Sequence, residues 1–107
     1  MKKTMFILAA VALGFSVPVH AKGNYEAGKA KSTTCAACHG VDGVSAIPSF
    51  PKLAGQQRDY LYHALKDYKS GKRNNPLMAE QVKALSDADM LDLAMYFSKQ
   101  KGLILKY

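Results

Sequence analysis

The sequence lacks several features that mark common functional classes. It has two cysteines in 107 residues, so at most one disulfide can form. No stretch after residue 21 is long and apolar enough to cross a membrane as a helix. The lysines are scattered and form no basic block with interleaved aromatic residues, so nucleic acid is a poor candidate partner. No segment alternates apolar and polar residues with a period of two, which predicts that the chain forms no sheet.

The first residues have the pattern of a secretory signal peptide. Lys2 and Lys3 precede an apolar run, and V-H-A at 19–21 has small or apolar residues at the positions that a signal peptidase recognises. The run is too short to span a bilayer as a stable helix, although an uncleaved N-terminal anchor is the alternative. We therefore predict a signal peptide at residues 1–21 and one mature domain at residues 22–107.

The mature domain is predicted to be small and mildly basic. Removal of Lys2 and Lys3 lowers the formal net charge from +7 to about +5. A positive charge of this size suits steering toward an acidic protein partner, although it is also explained by solubility alone. A domain of this length builds only a marginal core, so a disulfide, a metal or a cofactor is expected to help stabilise it.

Three helices are predicted. Residues 24–31 form the first, capped by Asn24, with Gly28 as an interruption that close approach of another helix would explain. Residues 56–70 form the second, which has one apolar face and is followed by Gly71. The third begins near Ser86, where S-D-A-D resembles a capping box, and ends before Gly102.

Two long loops are predicted between these helices. Residues 40–55 are rich in glycine and proline, which favours irregular backbone. Residues 72–78 are assigned as loop because Pro76 disfavours helical backbone at Asn75. Loops of this length are unusual in a small domain unless they enclose something or carry function. The prediction is therefore an all-α domain of three main helices with long loops.

The motif T-T-C-A-A-C-H-G at residues 33–40 carries the chemistry of the chain. The pattern C-x-x-C-H is typical of c-type haem attachment, with Cys35 and Cys38 forming the thioethers and His39 binding the iron. A zinc site normally needs four protein ligands, and His63 is the only further histidine in the mature domain. A redox dithiol is expected in a βαβ setting, and a disulfide across so short a loop would stabilise little. Haem is therefore favoured.

A second axial ligand is expected from a distant part of the chain. The candidates are Met78, Met90, Met95 and His63. Met78 is favoured because it falls in a predicted loop, where irregular backbone can direct a side chain inward. Met90 and Met95 lie on the last helix, and His63 lies within the second. Methionine ligation raises the reduction potential relative to two histidines.

These segments together resemble the class I c-type cytochromes. The closest similarity is to the bacterial periplasmic group that contains cytochrome c4 domains and small single-haem relatives. The motifs that carry it are C-A-A-C-H-G-V-D-G, P-S-F-P-K-L-A-G-Q, Y-K-S-G-K-R, N-P-L-M and L-S-D-A-D-M-L-D-L-A-M-Y-F, in this order. Tandem members of the group repeat the whole domain, so one domain here implies one haem, and a monomer or weak dimer.

The resemblance implies a small class I cytochrome c fold wrapped around one covalently bound haem c. Cys35 and Cys38 would carry the thioethers, with His39 and Met78 as axial ligands and Pro48 orienting the His39 ring. Gly28 would let the first helix cross the last near Leu93 and Tyr96. The residues implied to line the haem pocket are Phe50, Leu53, Tyr60, Leu65 and Tyr68, and those implied near the propionates are Gln56 and Arg73.

Three functions are compatible with such a domain. The first is a soluble periplasmic single-electron carrier, not an enzyme, between a respiratory donor and an oxidase or reductase with an acidic docking surface. The second is a haem peroxidase or gas sensor with a labile sixth ligand, for which His63 is the only distal acid–base candidate on the second helix. The third is a docking subunit with an incidental haem. The electron carrier is favoured because two axial ligands leave no open position on the iron.

Overall fold

The computed structural model describes residues 2–5, 7, 9, 10, 12, 14 and 22–102. Within those residues it contains five helices and no strand, which confirms the all-α prediction. The helices are α1 (Tyr25–Lys31), α2 (Thr33–His39), α3 (Arg58–Ser70), α4 (Pro76–Val82) and α5 (Asp87–Ser98). Most of the predicted signal peptide lies outside the described residues. No helix among the described residues is long and apolar enough to cross a membrane.

The three predicted helices are confirmed, with small shifts at their ends. Asn24 caps α1 by accepting a hydrogen bond from the Ala27 amide at 2.9 Å. Ser86 and Asp89 form a complete capping box at the start of α5. The second helix begins at Arg58, two residues later than predicted, and the third ends at Ser98.

Two helices were not predicted. The C-A-A-C-H motif lies on α2, separated from α1 only by the buried Ser32. The segment predicted as a loop at 72–78 contains the start of α4, so the loop assignment was wrong from Pro76 onward. Asn75 is extended and accepts a hydrogen bond from the Met78 amide at 3.1 Å, while Pro76 occupies the first helical position. Proline is favoured there because the first amides of a helix have no intrahelical partner.

The core lies where α5 crosses α1 and α3. Leu61 of α3 packs with Leu93, Ala94, Tyr96 and Phe97 of α5. Gly28 allows α1 to approach α5 closely, since a Cβ atom at this position would lie 2.0 Å from the Asp92 carbonyl oxygen. The predicted crossing of the first and last helices at Gly28 is therefore confirmed.

Polar contacts reinforce the crossing of α1 and α5. The buried Asp92 carboxylate accepts hydrogen bonds from the Asn24 amide and the Lys31 ammonium, both at 2.7 Å. Lys31 also pairs with Asp89 at 2.8 Å. A buried carboxylate requires such partners, because an unpaired charge in the interior is costly. These contacts fix α1, and the α2 motif that follows it, to α5.

The loop between α2 and α3 folds back onto α5. Gly43 is buried with a φ of 80°, and a Cβ atom there would lie 2.9 Å from both the Ala54 amide nitrogen and the Phe97 ring. The Tyr96 hydroxyl donates to the Val41 carbonyl at 2.9 Å, and the Gly55 amide donates to the Phe97 carbonyl at 3.0 Å. The loop thereby becomes one wall of a cleft.

Candidate cofactor site

A cleft of about 620 Å³ is enclosed by α2, the α2–α3 loop, α3, α4 and α5. This volume is in the range of small-molecule and cofactor sites. Apolar side chains dominate its walls, including Leu61, Leu93 and Phe97 from the core. A cleft of this kind suits a large, mainly apolar ligand with few polar groups.

Nearly all of the predicted site residues come together in this cleft. Cys35, Cys38 and His39 reach it from α2, and Met78 reaches it from α4. The other predicted residues that line it are Phe50, Leu53, Tyr60, Leu65, Tyr68, Gln56 and Arg73. His63, the alternative ligand, is exposed on α3 and is not among the residues that line the cleft.

His39 is buried and is held in one orientation by the loop. Its Nδ1 atom lies 2.7 Å from the Pro51 carbonyl oxygen. A carbonyl can only accept, so Nδ1 is the protonated nitrogen, which in the neutral ring leaves the lone pair on Nε2. This is the tautomer that binds a metal through Nε2, with the second nitrogen fixed by a carbonyl. The Phe50 ring packs edge-on against the imidazole, with the ring centroids 6.4 Å apart.

The structure corrects the role predicted for Pro48. The carbonyl that holds His39 belongs to Pro51, whereas Pro48 is exposed and is not among the cleft residues. Both prolines lie in the same irregular loop, and its turns decide which carbonyl faces the ring. The sequence pattern alone does not distinguish the two positions.

The two cysteines are free thiols on one face of α2. They lie three residues apart, which places them on adjacent turns of the same helix face. Burial raises the pKa of the Cys35 thiol, with a smaller opposing effect from a hydrogen bond to Thr34. Ala37, next to Cys38, also lines the cleft, and its small side chain lets a flat ligand approach the α2 backbone.

Met78 lies half-buried on the first turn of α4. Its amide is held by the Asn75 cap, which fixes the backbone from which the thioether extends. Sequence reasoning missed the rest of this wall, formed by Leu77, Gln81, Val82 and Leu85, because the helix itself was missed. The Asn75–Pro76 pair, a capping residue followed by proline, was the signal that could have identified it.

The residues fit a covalently bound haem. A thiol pair on one helix face, a buried imidazole and a thioether share one apolar cleft, and these are the donors of a c-type site. Lys52, Gln56 and Arg73 also border the cleft and provide polar groups for carboxylates. The Arg73 guanidinium lies 4.8 Å from the centroid of the Tyr68 ring, which restrains its position.

Comparison with known proteins identifies the family of the chain. The family model described as Cytochrome c matches residues 25–101. The chain is 48% identical over 89 residues to cytochrome c4 of Pseudomonas aeruginosa, covering 83% of this chain and 44% of that protein. It is 43% identical over 82 residues to cytochrome c-554(548) of Halomonas halodenitrificans, covering 74% of this chain and 99% of that protein.

A solved structure supports the same assignment. Reduced recombinant cytochrome c4 from Pseudomonas stutzeri superposes with a TM-score of 0.73 at 46% identity, covering 77% of this chain and 48% of that one. The chain therefore spans about half the length of the cytochromes c4 that it matches. Its cofactor is covalently bound haem c, and the chain belongs to the cytochrome c family.

Proposed function

We propose that this cytochrome c is a single-electron carrier, not an enzyme, with haem iron bound by His39 and Met78. The observation that carries the proposal is the pairing of a buried, carbonyl-oriented imidazole with a thioether in one apolar cleft. Haem supplies a reversible one-electron change at iron. Two protein ligands leave no open position for a substrate, and the change of oxidation state then needs little geometric rearrangement.

The cysteines, the histidine and the methionine of the cleft have distinct roles in this proposal. Cys35 and Cys38 would hold the haem through thioethers, and adding each S–H across a vinyl group, with sulfur on one carbon and hydrogen on the other, would need no oxidant. The His39–Pro51 hydrogen bond fixes the imidazole and increases its basicity as a ligand. The Met78 thioether favours the reduced state, and the apolar walls limit access of water, which acts in the same direction.

We place the carrier in the periplasm, with residues 1–21 as the export signal and residues 22–107 as the mature domain. The support is the sequence pattern of two lysines, an apolar run and V-H-A at 19–21. Export also agrees with covalent attachment, since a covalently held cofactor is not lost to the surroundings.

The partners are proposed to be redox proteins with acidic docking surfaces. Lys52 and Arg73 are exposed at the rim of the cleft, and without Lys2 and Lys3 of the proposed signal the formal net charge falls from +7 to about +5. Long-range attraction of this kind accelerates encounter and is screened by salt. The rate of electron transfer to an acidic partner protein should therefore fall as ionic strength rises, and a salt-independent rate would contradict the steering.

Optical spectra of the purified holoprotein test the proposed function. We expect the haem to remain with the protein after acid–acetone extraction and the ferric form to show a methionine–iron charge-transfer band. Met78→Ala should abolish this band and lower the reduction potential. Met95→Ala is the matched control, since Met95 is half-buried on α5 and is not among the cleft residues.

Two results would contradict the proposal. Retention of the band in Met78→Ala would mean that another residue is the ligand. A high-spin ferric spectrum in the unaltered protein, with rapid binding of peroxide or a gas, would favour the peroxidase or sensor function instead.

A further inference from the structure

The helix that carries Met78 has little support of its own. α4 is seven residues long, and Val82 is its one buried residue. The side chains of α4 that line the cleft are those of Leu77, Met78, Gln81 and Val82. The position of α4 therefore depends on contacts with other elements of the protein. Helices this short are not stable in isolation, so tertiary contacts must hold α4 in place.

Two side chains of α3 bind the junction between α4 and α5, one at the turn and one at the first residue of α5. The Tyr62 hydroxyl donates a hydrogen bond to the Asp87 carboxylate at 2.5 Å. The Lys69 ammonium donates a hydrogen bond to the Leu85 carbonyl. Leu85 lies in the turn at residues 83–86, whereas Asp87 is the first residue of α5, so the two bonds hold the residues on either side of the Ser86 cap, where the turn enters α5.

The Tyr62–Asp87 contact is an exposed, charge-assisted hydrogen bond. A bond from a hydroxyl to a charged carboxylate is stronger than one between two neutral groups. The hydrogen bond to Asp87 raises the pKa of Tyr62 above its ordinary value of 10. The Lys66 ammonium lies 5.0 Å from the centroid of the Tyr62 ring and restrains its orientation.

We propose that Tyr62 and Asp87 form a latch that holds α4 over the haem cleft and keeps the Met78 thioether on the iron. Tyr62 is thus a positioning residue, which acts on the axial ligand through the turn at 83–86. The inference rests on the proposed ligation by Met78. An added ligand can replace Met78 only when α4 opens, so the latch sets how often the sixth position becomes accessible.

Imidazole binding to the ferric holoprotein measures this opening. The loss of one hydrogen bond should favour the open state by a factor of about 3 to 10. We therefore expect Tyr62→Phe to increase the apparent affinity for imidazole by about 3- to 10-fold. The methionine–iron band should remain without imidazole, because the latch biases α4 and does not itself bind iron.

Tyr25→Phe is the matched control. Tyr25 also loses one hydrogen bond on this change, since its hydroxyl accepts from the Gln100 side chain at 3.1 Å. It lies on α1, away from α4, and is not among the cleft residues. An unchanged imidazole affinity in Tyr25→Phe is expected. An equal increase in both variants would mean that general destabilisation is the cause, and would overturn the latch.

A double-mutant cycle identifies the pair. Asp87→Ala should increase imidazole affinity at least as much as Tyr62→Phe, and the double variant should add little to Asp87→Ala. Asp87→Asn, which keeps an acceptor oxygen, should restore part of the unaltered behaviour. Additive effects of Tyr62→Phe and Asp87→Ala would contradict a direct contact. The Asp87 variants also keep the test available if Tyr62→Phe fails to fold.

The failure of the latch is distinguishable from the failure of the proposed function. If the unaltered ferric protein has no methionine–iron band, ligation by Met78 is wrong and the latch falls with it. If the band is present but Tyr62→Phe binds imidazole with unchanged affinity, ligation stands and only the latch is wrong.

Discussion

The two sides of the cleft are anchored in different ways. The motif C-A-A-C-H follows α1, which is fixed to α5 by the Gly28 crossing and by buried Asp92. Met78 lies on α4, whose one buried residue is Val82, and the turn after α4 is held by the hydrogen bond from Lys69 to the Leu85 carbonyl. One proposed axial ligand is therefore built into the core, whereas we expect the segment that carries the other to open locally while the rest stays folded.

The largest effect is expected at the crossing of α1 and α5. In Gly28→Ala the new Cβ would lie 2.0 Å from the Asp92 carbonyl oxygen and 2.8 Å from the Tyr96 Cβ, so the two helices must separate. We expect the free energy of unfolding to fall by about 3 kcal/mol or more. Thermal unfolding followed by circular dichroism measures this change.

Gly71→Ala is the matched control for the crossing. Gly71 has a φ of 80°, but a Cβ atom at this position would meet nothing within 4 Å, so only backbone strain is introduced. A loss of about 1 kcal/mol is expected. Equal destabilisation by the two variants would mean that the α1–α5 contact is looser than the structure shows.

The α4 side is tested by Val82→Ala. Val82 is 1% exposed, and its truncation removes two methyl groups and leaves a small cavity. We expect a loss of about 2 kcal/mol, felt first in α4. On warming, the methionine–iron band should disappear at a lower temperature than in the unaltered protein, with a smaller change in helix melting. A fall in helix melting as large as that of Gly28→Ala would contradict the local character of α4.

A smaller effect is expected from the carboxylate that joins α1 to α5. Asp92→Ala leaves the Asn24 amide without its acceptor and Lys31 with only Asp89. We expect the free energy of unfolding to fall by roughly 1.5 kcal/mol, measured by urea denaturation. Asp59→Ala is the control, since Asp59 is exposed and pairs only with its neighbour Arg58. An equally small effect of the two variants would show that the buried contacts do not hold α1.

The smallest effect is a change of stability with pH at Asp89. Hydrogen bonding to Lys31, and then to the Ser86 amide, lowers the pKa of Asp89 from 3.8 to about 2. A lowered pKa in the folded state gives a contribution to stability that is present above pH 3.8 and is lost as the pH falls toward 2. Asp89→Asn should therefore flatten the dependence of melting temperature on pH in this window. An unchanged slope would mean that Asp89 makes no such contribution.

The sequence was sufficient for features that depend on local chemistry. The Asn24 cap and the capping box at Ser86 follow from residue types at fixed spacing, and both are present. Gly28 was noticeable because glycine is costly inside a helix, although the α5 backbone that requires it is a tertiary contact. C-A-A-C-H indicated the cofactor because two thiols and an imidazole at this spacing have few other uses. Residue reasoning also selected Met78, but on the expectation of a loop, whereas Met78 lies on α4. The resemblance to class I cytochromes added most of the pocket residues.

Features that depend on tertiary contacts were not predictable in the same way. The pair Asn75–Pro76 carries two opposing signals. A residue before proline disfavours helical backbone, but a capping residue followed by proline also favours the start of a helix. In the structure a helix does begin here, and it packs through the buried Val82. The carbonyl that orients His39 is chosen by the path of the loop, so Pro51 was indistinguishable from Pro48. The Tyr62–Asp87 contact joins residues that are 25 apart in sequence and has no local signature.

The most direct test of unequal anchoring follows two signals while the ferric holoprotein is warmed. One is the methionine–iron band, which reports Met78 on the iron, and the other is the far-ultraviolet circular dichroism, which reports the helices. We predict that the band is present and is lost at a lower temperature than the helix signal. Absence of the band would contradict ligation by Met78, and loss of both signals together would contradict the separate, weaker anchoring of α4.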